Sequence, residues 1–83
     1  MTLIAYALGQ NIVAAARPAD AAAVMDVVET PGKWRPEDAR KLTAKELSAP
    51  VDDSSAETIA EALARMQLFG DRAQLIRWDY PAV

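Results

Sequence analysis

The sequence contains no cysteine and no histidine, and both absences restrict its chemistry. Without cysteine there is no disulfide bond, no thiolate metal ligand and no cysteine nucleophile. Without histidine the chain lacks the commonest metal ligand and the commonest general base near neutral pH. Paired carboxylates in an apolar setting, a serine–base pair and a phosphate-binding glycine loop are also missing from the sequence pattern. We therefore expect a protein that is not an enzyme and that uses no metal or other cofactor.

The chain also lacks a long apolar run and a surplus of basic residues. No apolar run approaches the ~20 residues that a membrane span requires. The opening MTLIAYALG is apolar but has no basic residue before it, as a secretory signal would, so we expect a cytoplasmic protein with no membrane partner. The net charge of −3 argues against nucleic-acid binding through bulk electrostatics, although a local basic patch is compatible with it.

The length of 83 residues predicts a single domain, 1–83, with a small core. Alanine supplies much of the 52% hydrophobic content. The core must therefore depend on a few large side chains, including both tryptophans.

The first third of the chain predicts one strand and two helices. Residues 2–8 form a short apolar run that favours a strand, although such a run also fits a helix, and residues 9–11 are a turn signal. Residues 12–16 are rich in alanine and predict a short helix that ends before Pro18. A second helix is expected to begin at Pro18, where the missing N–H is not needed, and to end at residues 30–32.

Two helix starts of the same type lie between residues 42 and 70. Thr43 and Glu46 have the spacing of a capping box, in which each side chain accepts a hydrogen bond from the other residue's backbone N–H. Residues 54–57 repeat this spacing just before an apolar run at helical period. Pro50 stops the first helix. A short helix, a tight turn and a longer helix predict a helix-turn-helix arrangement.

The C-terminal segment predicts a second strand. Residues 73–80 alternate apolar or aromatic side chains with polar ones, which is the period of a strand. We expect residues 74–80 to pair with residues 2–8, so that Tyr6 and Tyr80 meet across a small sheet made by the two chain ends.

The segment from residue 42 onward resembles a winged helix-turn-helix domain. Such families carry the pattern L-T-x-x-E-L, a turn, S-x-x-T-[VI]-x-x-x-L-x-x-[LM] and a glycine four residues later. The matching residues are Leu42, Thr43, Glu46, Leu47, Ser55, Thr58, Ile59, Leu63, Met66 and Gly70. The resemblance covers roughly residues 20–80 and departs from the family in its longer, acidic turn and in having only one strand after the helices. It implies an α+β fold: a helix-turn-helix-like helical core with a minor two-stranded antiparallel sheet formed by the chain termini.

Two binding hypotheses follow, beside the alternative of a structural or assembly subunit. The resemblance implies a DNA-binding transcriptional regulator whose partner is duplex DNA. Its phosphate contacts would come from a cluster of basic residues, and its base contacts from the longer helix of the helix-turn-helix. The alternative for the basic cluster is a solvated face with no binding role. These residues are Lys33, Arg35, Arg40, Lys41 and Lys45 for phosphates, and Ser55, Thr58 and Arg65 near bases.

The charge around the longer helix of the helix-turn-helix favours the other hypothesis, a small acidic protein-interaction module. No lysine or arginine lies between Glu46 and Ala64, whereas the same stretch contains Asp52, Asp53, Glu57 and Glu61. These acids complement helix starts, or they form a ridge that docks on a basic protein which handles nucleic acid. Phage-type inhibitors such as anti-CRISPR proteins are similar in size and charge. Either hypothesis is compatible with a monomer or a homodimer.

Overall fold

The computed structural model of the protein describes residues 2–52, 54–70 and 72–78. These residues form four strands and three α-helices. In chain order they are β1 (Ile4–Leu8), β2 (Asn11–Ala15), α1 (Pro18–Val28), β3 (Arg40–Lys41), α2 (Ala44–Leu47), α3 (Ile59–Leu68) and β4 (Gln74–Arg77). A short 3-10 helix, Pro36–Asp38, lies between α1 and β3.

A tight β-hairpin, β1–β2, starts the fold. Leu8 pairs with Asn11, so that only Gly9 and Gln10 form the loop. Gly9 has a φ of 63°. In the described ranges only glycines have a positive φ, so Gln10, the second loop residue, does not. This combination fits a type II′ turn with glycine at its first central position. The Asn11 side-chain amide donates to the Leu8 carbonyl oxygen at 3.1 Å and reinforces the turn.

The strand predicted over residues 2–8 is confirmed, whereas the helix predicted over residues 12–16 is wrong. That segment is β2, and all five of its residues are buried. A central strand covered on both faces is a continuous apolar run, so it lacks the alternation by which a strand is normally recognised. The small alanine side chains let the helices approach the sheet closely, and the hairpin turn leaves no room for a helix.

The sheet is larger than the sequence predicted. Its strand order is β3–β1–β2–β4 and every neighbouring pair is antiparallel. The expected α+β class fits, but the expected helix-turn-helix-like core with a minor two-stranded sheet from the termini is wrong. Leu75 of β4 pairs with Val13 of β2 rather than with residues 2–8. Tyr80, the expected partner of Tyr6, lies outside the described residues.

Helix α1 covers one face of the sheet. The strands contribute Tyr6, Leu8 and Val13 to this half of the core, and the helix contributes Ala21 and Met25. All of these are at most 2% exposed, because α1 begins at Pro18, as predicted, and folds straight back over the hairpin. We refer to this side of the sheet as the α1 face.

Helices α2 and α3 cover the opposite face. Ile59 packs against Ala5 and Ile12 there, and five half-buried aliphatic side chains surround them. These are Leu42, Leu47, Val51, Leu63 and Ile76. The hairpin is therefore enclosed between two helical layers.

Of the two predicted helix starts, one is confirmed and one is displaced. Thr43 and Glu46 form the predicted capping box of α2, with N···O distances of 2.9 and 3.2 Å. The start predicted at residues 54–57 is wrong, because α3 begins at Ile59 and is capped by Thr58. Residues 48–58 therefore separate α2 from α3, in place of the tight turn that was expected.

The hairpin turn yields a test of the packing around Gly9. A Cβ at this position would lie 2.7 Å from Cη2 of Trp34, whereas a Cβ at Gly32, whose φ is 82°, would meet nothing within 4 Å. We expect Gly32→Ala to lower the free energy of unfolding by ~1–2 kcal/mol, the cost of a left-handed conformation. Gly9→Ala should cost more, because the ring must also move. Urea denaturation measures both, and equal losses would show that Trp34 does not constrain the turn.

Candidate interaction surfaces

An open groove lies between α1 and β4 on the α1 face of the sheet. Its volume is about 660 Å³. Six of the side chains that line it are apolar: Val24, Val27, Val28, Phe69, Ala73 and Leu75. Arg72 and Gln74 are the polar lining residues. We call this feature the α1–β4 groove.

Two of the lining side chains are almost fully exposed. Val27 is 86% exposed and Phe69 is 84% exposed. Ala21 and Met25 turn inward to the core, which places Val27 on the outer side of α1, and Phe69 directly follows the last residue of α3. Leu68 is also 84% exposed but does not line the groove. A contiguous exposed apolar patch on a small domain is typical of a binding surface.

The strand beside the groove is also an open edge of the sheet. Within the described residues β4 pairs only with β2, so part of its backbone N–H and C=O groups face outward. The opposite edge, β3, is two residues long and consists of Arg40 and Lys41. Short length and positive charge protect an edge from further pairing, and the centre of β4, Leu75 and Ile76, has neither form of protection.

The end of β4 is held against α1 by a carboxylate. Glu29 accepts a hydrogen bond from the Lys33 ammonium at 2.7 Å and one from the Trp78 indole N–H at 3.3 Å. The Lys33 hydrogen bond is the main cause that lowers the pKa of Glu29 below its ordinary value. Lys33 also lies 5.6 Å from the centre of the Trp34 ring, which is the range of a cation–π contact. This cluster fixes the separation of the two walls of the α1–β4 groove.

The carboxylates that were predicted to form an acidic ridge are engaged within the chain. Asp52 accepts from both the backbone N–H and the hydroxyl of Ser54 at 2.9 Å. Glu61 accepts from the Thr58 N–H at 2.9 Å. Glu57 forms a two-pronged ion pair with Arg65, at 2.9 and 3.0 Å. Asp53, the fourth predicted residue, lies outside the described residues.

These contacts set the charge of the acidic ridge. Hydrogen bonds from Ser54 lower the pKa of Asp52, and the hydrogen bond from Arg65 lowers the pKa of Glu57. Both groups are therefore ionised at neutral pH. The guanidinium of Arg65 cancels the charge of Glu57, so Asp52 and Glu61 carry the net negative charge of the described part of the ridge.

The predicted basic cluster is divided between the two faces of the sheet. Lys41 lies opposite Tyr6, on the α1 face, and Arg40 lies opposite Ala7, on the other face. Arg40 forms a two-pronged ion pair with Glu46, with both N···O distances at 2.8 Å. Lys33 is paired with Glu29, as described above. In the described ranges, the predicted basic residues without a carboxylate partner are Arg35, Lys41 and Lys45.

The residues predicted to lie near DNA bases make structural contacts within the chain. Thr58 caps α3 by accepting from the Glu61 N–H at 3.1 Å. The Ser55 hydroxyl accepts from the Glu57 N–H at 3.1 Å. Arg65 is held by Glu57. The fold uses all three side chains to position the start of α3.

A smaller cavity of about 270 Å³ lies beneath the hairpin turn. Arg40, Glu46 and Arg77 are among its lining residues. The Arg77 guanidinium donates to the carbonyl oxygens of Gln10 and Val51 at 3.3 and 3.5 Å, and thereby ties the turn to the segment before α3. Both arginines therefore already have acceptors within the chain, which gives this cavity a structural role.

No protein-family model, curated protein or solved structure matches the chain. The resemblance to winged helix-turn-helix domains therefore stays a prediction.

None of the helices within the described residues is long and apolar enough to cross a membrane. In the same residues, no group of three or more acidic side chains is arranged to hold a metal ion.

The Glu46 contacts predict an acid-dependent loss of stability. Hydrogen bonds from the Arg40 guanidinium and the Thr43 backbone lower the pKa of Glu46 from 4.5 to about 2. Since the folded-state pKa is lowered, the stabilisation is complete above pH 4.5 and disappears as the pH falls towards 2. We expect Glu46→Gln to remove this part of the pH dependence, measured as the urea midpoint against pH.

The control for this variant is Glu37→Gln, because the exposed Glu37 side chain makes no hydrogen bond or ion pair within the described residues. It should follow the wild-type curve. A Glu46→Gln curve parallel to that of the wild type would contradict the role given to the Arg40–Glu46 pair.

Proposed function

We propose that the chain is a non-catalytic protein-interaction module that binds an extended segment of another protein chain. The bound segment lies along the outer edge of β4 and places apolar side chains in the α1–β4 groove. One observation carries the proposal: Val27 and Phe69 are 86% and 84% exposed beside an unprotected sheet edge.

The groove and the edge suit one type of ligand. A strand added to a sheet forms backbone hydrogen bonds with the edge, while every second side chain points to the same face. Leu75 lies on the α1 face, where it packs against the core under α1. Every second side chain of an added strand would lie next to Leu75, in the part of the groove between Val27 and Phe69. Backbone pairing supplies affinity, and the groove supplies selectivity for apolar side chains.

The acidic ridge enters this proposal in a secondary role. Asp52 and Glu61 are exposed and could steer a basic partner towards the protein, since surface charge acts mainly on the rate of association. Docking on a basic protein that handles nucleic acid, binding of duplex DNA and a cytoplasmic location stay predictions. Of the three basic residues without a carboxylate partner, Lys41 lies on the α1 face of the sheet, whereas α3 lies on the opposite face, and this counts against the DNA hypothesis.

The test is a selection of random displayed peptides on the wild-type protein, followed by affinity measurements with two variants. Phe69→Ser removes an apolar side chain from the groove, and Leu68→Ser removes one of equal exposure that does not line it. We expect enriched peptides to alternate apolar residues. Loss of the Phe69 contact should weaken their binding by about tenfold or more, because burial of such a side chain contributes ~1.5–3 kcal/mol. Leu68→Ser should bind like the wild type.

Other outcomes would assign the function elsewhere. One such outcome of the selection is an enrichment of basic peptides. If Phe69→Ser still binds them and Asp52→Asn does not, the binding site lies on the acidic ridge. Steeply salt-dependent binding of random duplex DNA by the folded protein would support the regulator hypothesis. Either result contradicts the groove as the principal binding surface.

A further inference from the structure

We infer that the chain bound at the α1–β4 groove is a second copy of this protein, joined to the first by antiparallel pairing of the two β4 strands. The inference rests on the proposed function and names its partner. The product is a two-fold symmetric dimer with one continuous eight-stranded sheet. Each copy then covers the exposed Val27 and Phe69 of the other.

The two sheet edges differ in a way that favours this pairing. An edge-to-edge contact between β3 of one copy and β4 of the next is a heterologous contact, which produces rings or open filaments rather than a two-fold dimer. The charges of Arg40 and Lys41 and the two-residue length of β3 oppose that contact. Pairing of β4 with β4 uses the same surface on both copies, so the assembly closes at two.

The sequence of β4 is compatible with pairing to itself. A two-fold axis normal to the sheet keeps the α1 faces of both copies on the same side. An axis that passes at Leu75 sets the two Leu75 side chains directly opposite each other and Gln74 opposite the partner's Ile76. No charged residue then faces a like charge, because Arg77 lies opposite the partner's Ala73. The apolar pair of the two Leu75 side chains would stabilise the neighbouring strands.

The size of the protein permits an interface of standard area. A standard interface takes ~800 Å² from each partner. That is roughly one seventh of the 5381 Å² surface of the described chain. The β4 edge, the α1–β4 groove and the exposed Val27 and Phe69 all lie on one side of the molecule. An unrelated strand would cover the groove of one copy, whereas the two-fold arrangement covers two grooves and two sheet edges at once.

Sedimentation equilibrium over micromolar to millimolar concentration tests this dimer. The wild type should reach twice the chain mass of 9.0 kDa and no higher mass. Phe69→Ser should raise the dimer dissociation constant by about tenfold or more, since each copy loses a buried aromatic contact. The matched control Leu68→Ser should stay within about twofold of the wild type, because surface changes outside an interface have small effects.

A cysteine variant tests the register independently, and the absence of native cysteine makes the experiment clean. Side chains directly opposite on antiparallel strands have Cβ atoms ~4.5–5.5 Å apart, close enough for oxidation to link them. Leu75→Cys should therefore form a covalent dimer under mild oxidation at concentrations where the wild type is dimeric. Lys41→Cys, on the opposite edge, should stay uncrosslinked.

Three results would overturn the inference. They are a single-chain mass at every concentration, a dimer that Phe69→Ser and Leu68→Ser weaken equally, and open-ended oligomers. A monomer that still binds the selected peptides would reject the homodimer and leave the proposed function intact. A monomer that binds no peptide would reject both. Peptide selection is done below the dimer dissociation constant, so that the groove is free.

Discussion

The fold depends on the complete burial of one hairpin. Every residue of β2 is buried, and so are four of the five residues of β1. A hairpin enclosed on both faces needs a helical layer on each side, and the order of the chain supplies α1 on one and α2 with α3 on the other. The Gly9 turn makes the two central strands immediate neighbours, and all later elements add outward from them. A tight, glycine-dependent turn thus determines which strands end at the edges.

The unequal edges follow from this central position. β3 follows α1 on one side and is short and cationic, whereas β4 follows α3 on the other and is apolar at its centre. Because α1 lies over the hairpin rather than over the outermost strand, a space remains between α1 and β4. Val27 and Phe69 border that space and are left in solvent by the described part of the chain. The same packing that closes the core therefore produces the surface that we propose for binding.

The sequence predicted individual elements better than their arrangement. The strand at residues 2–8, the helix start at Pro18 and the Thr43 cap follow from local chemistry, and the structure confirms them. Residues 12–16 were misassigned because alanine in a strand buried on both faces resembles alanine in a helix. The chain also contains two capping patterns before α3: the predicted one at residues 54–57, and that of Thr58 with Glu61, which caps the helix. Ser54 is engaged by Asp52, an interaction that composition and period do not reveal.

The candidate site residues were likewise predicted individually but not in their spatial arrangement. A run of acidic residues was visible, but the pairing of Glu57 with Arg65, eight positions away, depends on the geometry of the turn before α3. The basic residues are close in sequence, yet adjacent positions on β3 point to opposite faces of the sheet. The signal that could have identified the groove was Val27, an apolar residue outside the buried stripe of α1, together with the apolar end of α3. Neither indicates an edge strand until the strand order is known.

In this fold β4 is an unprotected edge attached to a fully protected hairpin. Amide hydrogen exchange by NMR at two protein concentrations tests it directly. We expect slow exchange throughout β1 and β2 at both concentrations. In β4 we expect incomplete protection when the protein is dilute and increased protection when it is concentrated. Exchange in β4 that is equally slow at both concentrations, or a hairpin that exchanges faster than β4, would contradict this arrangement of the sheet.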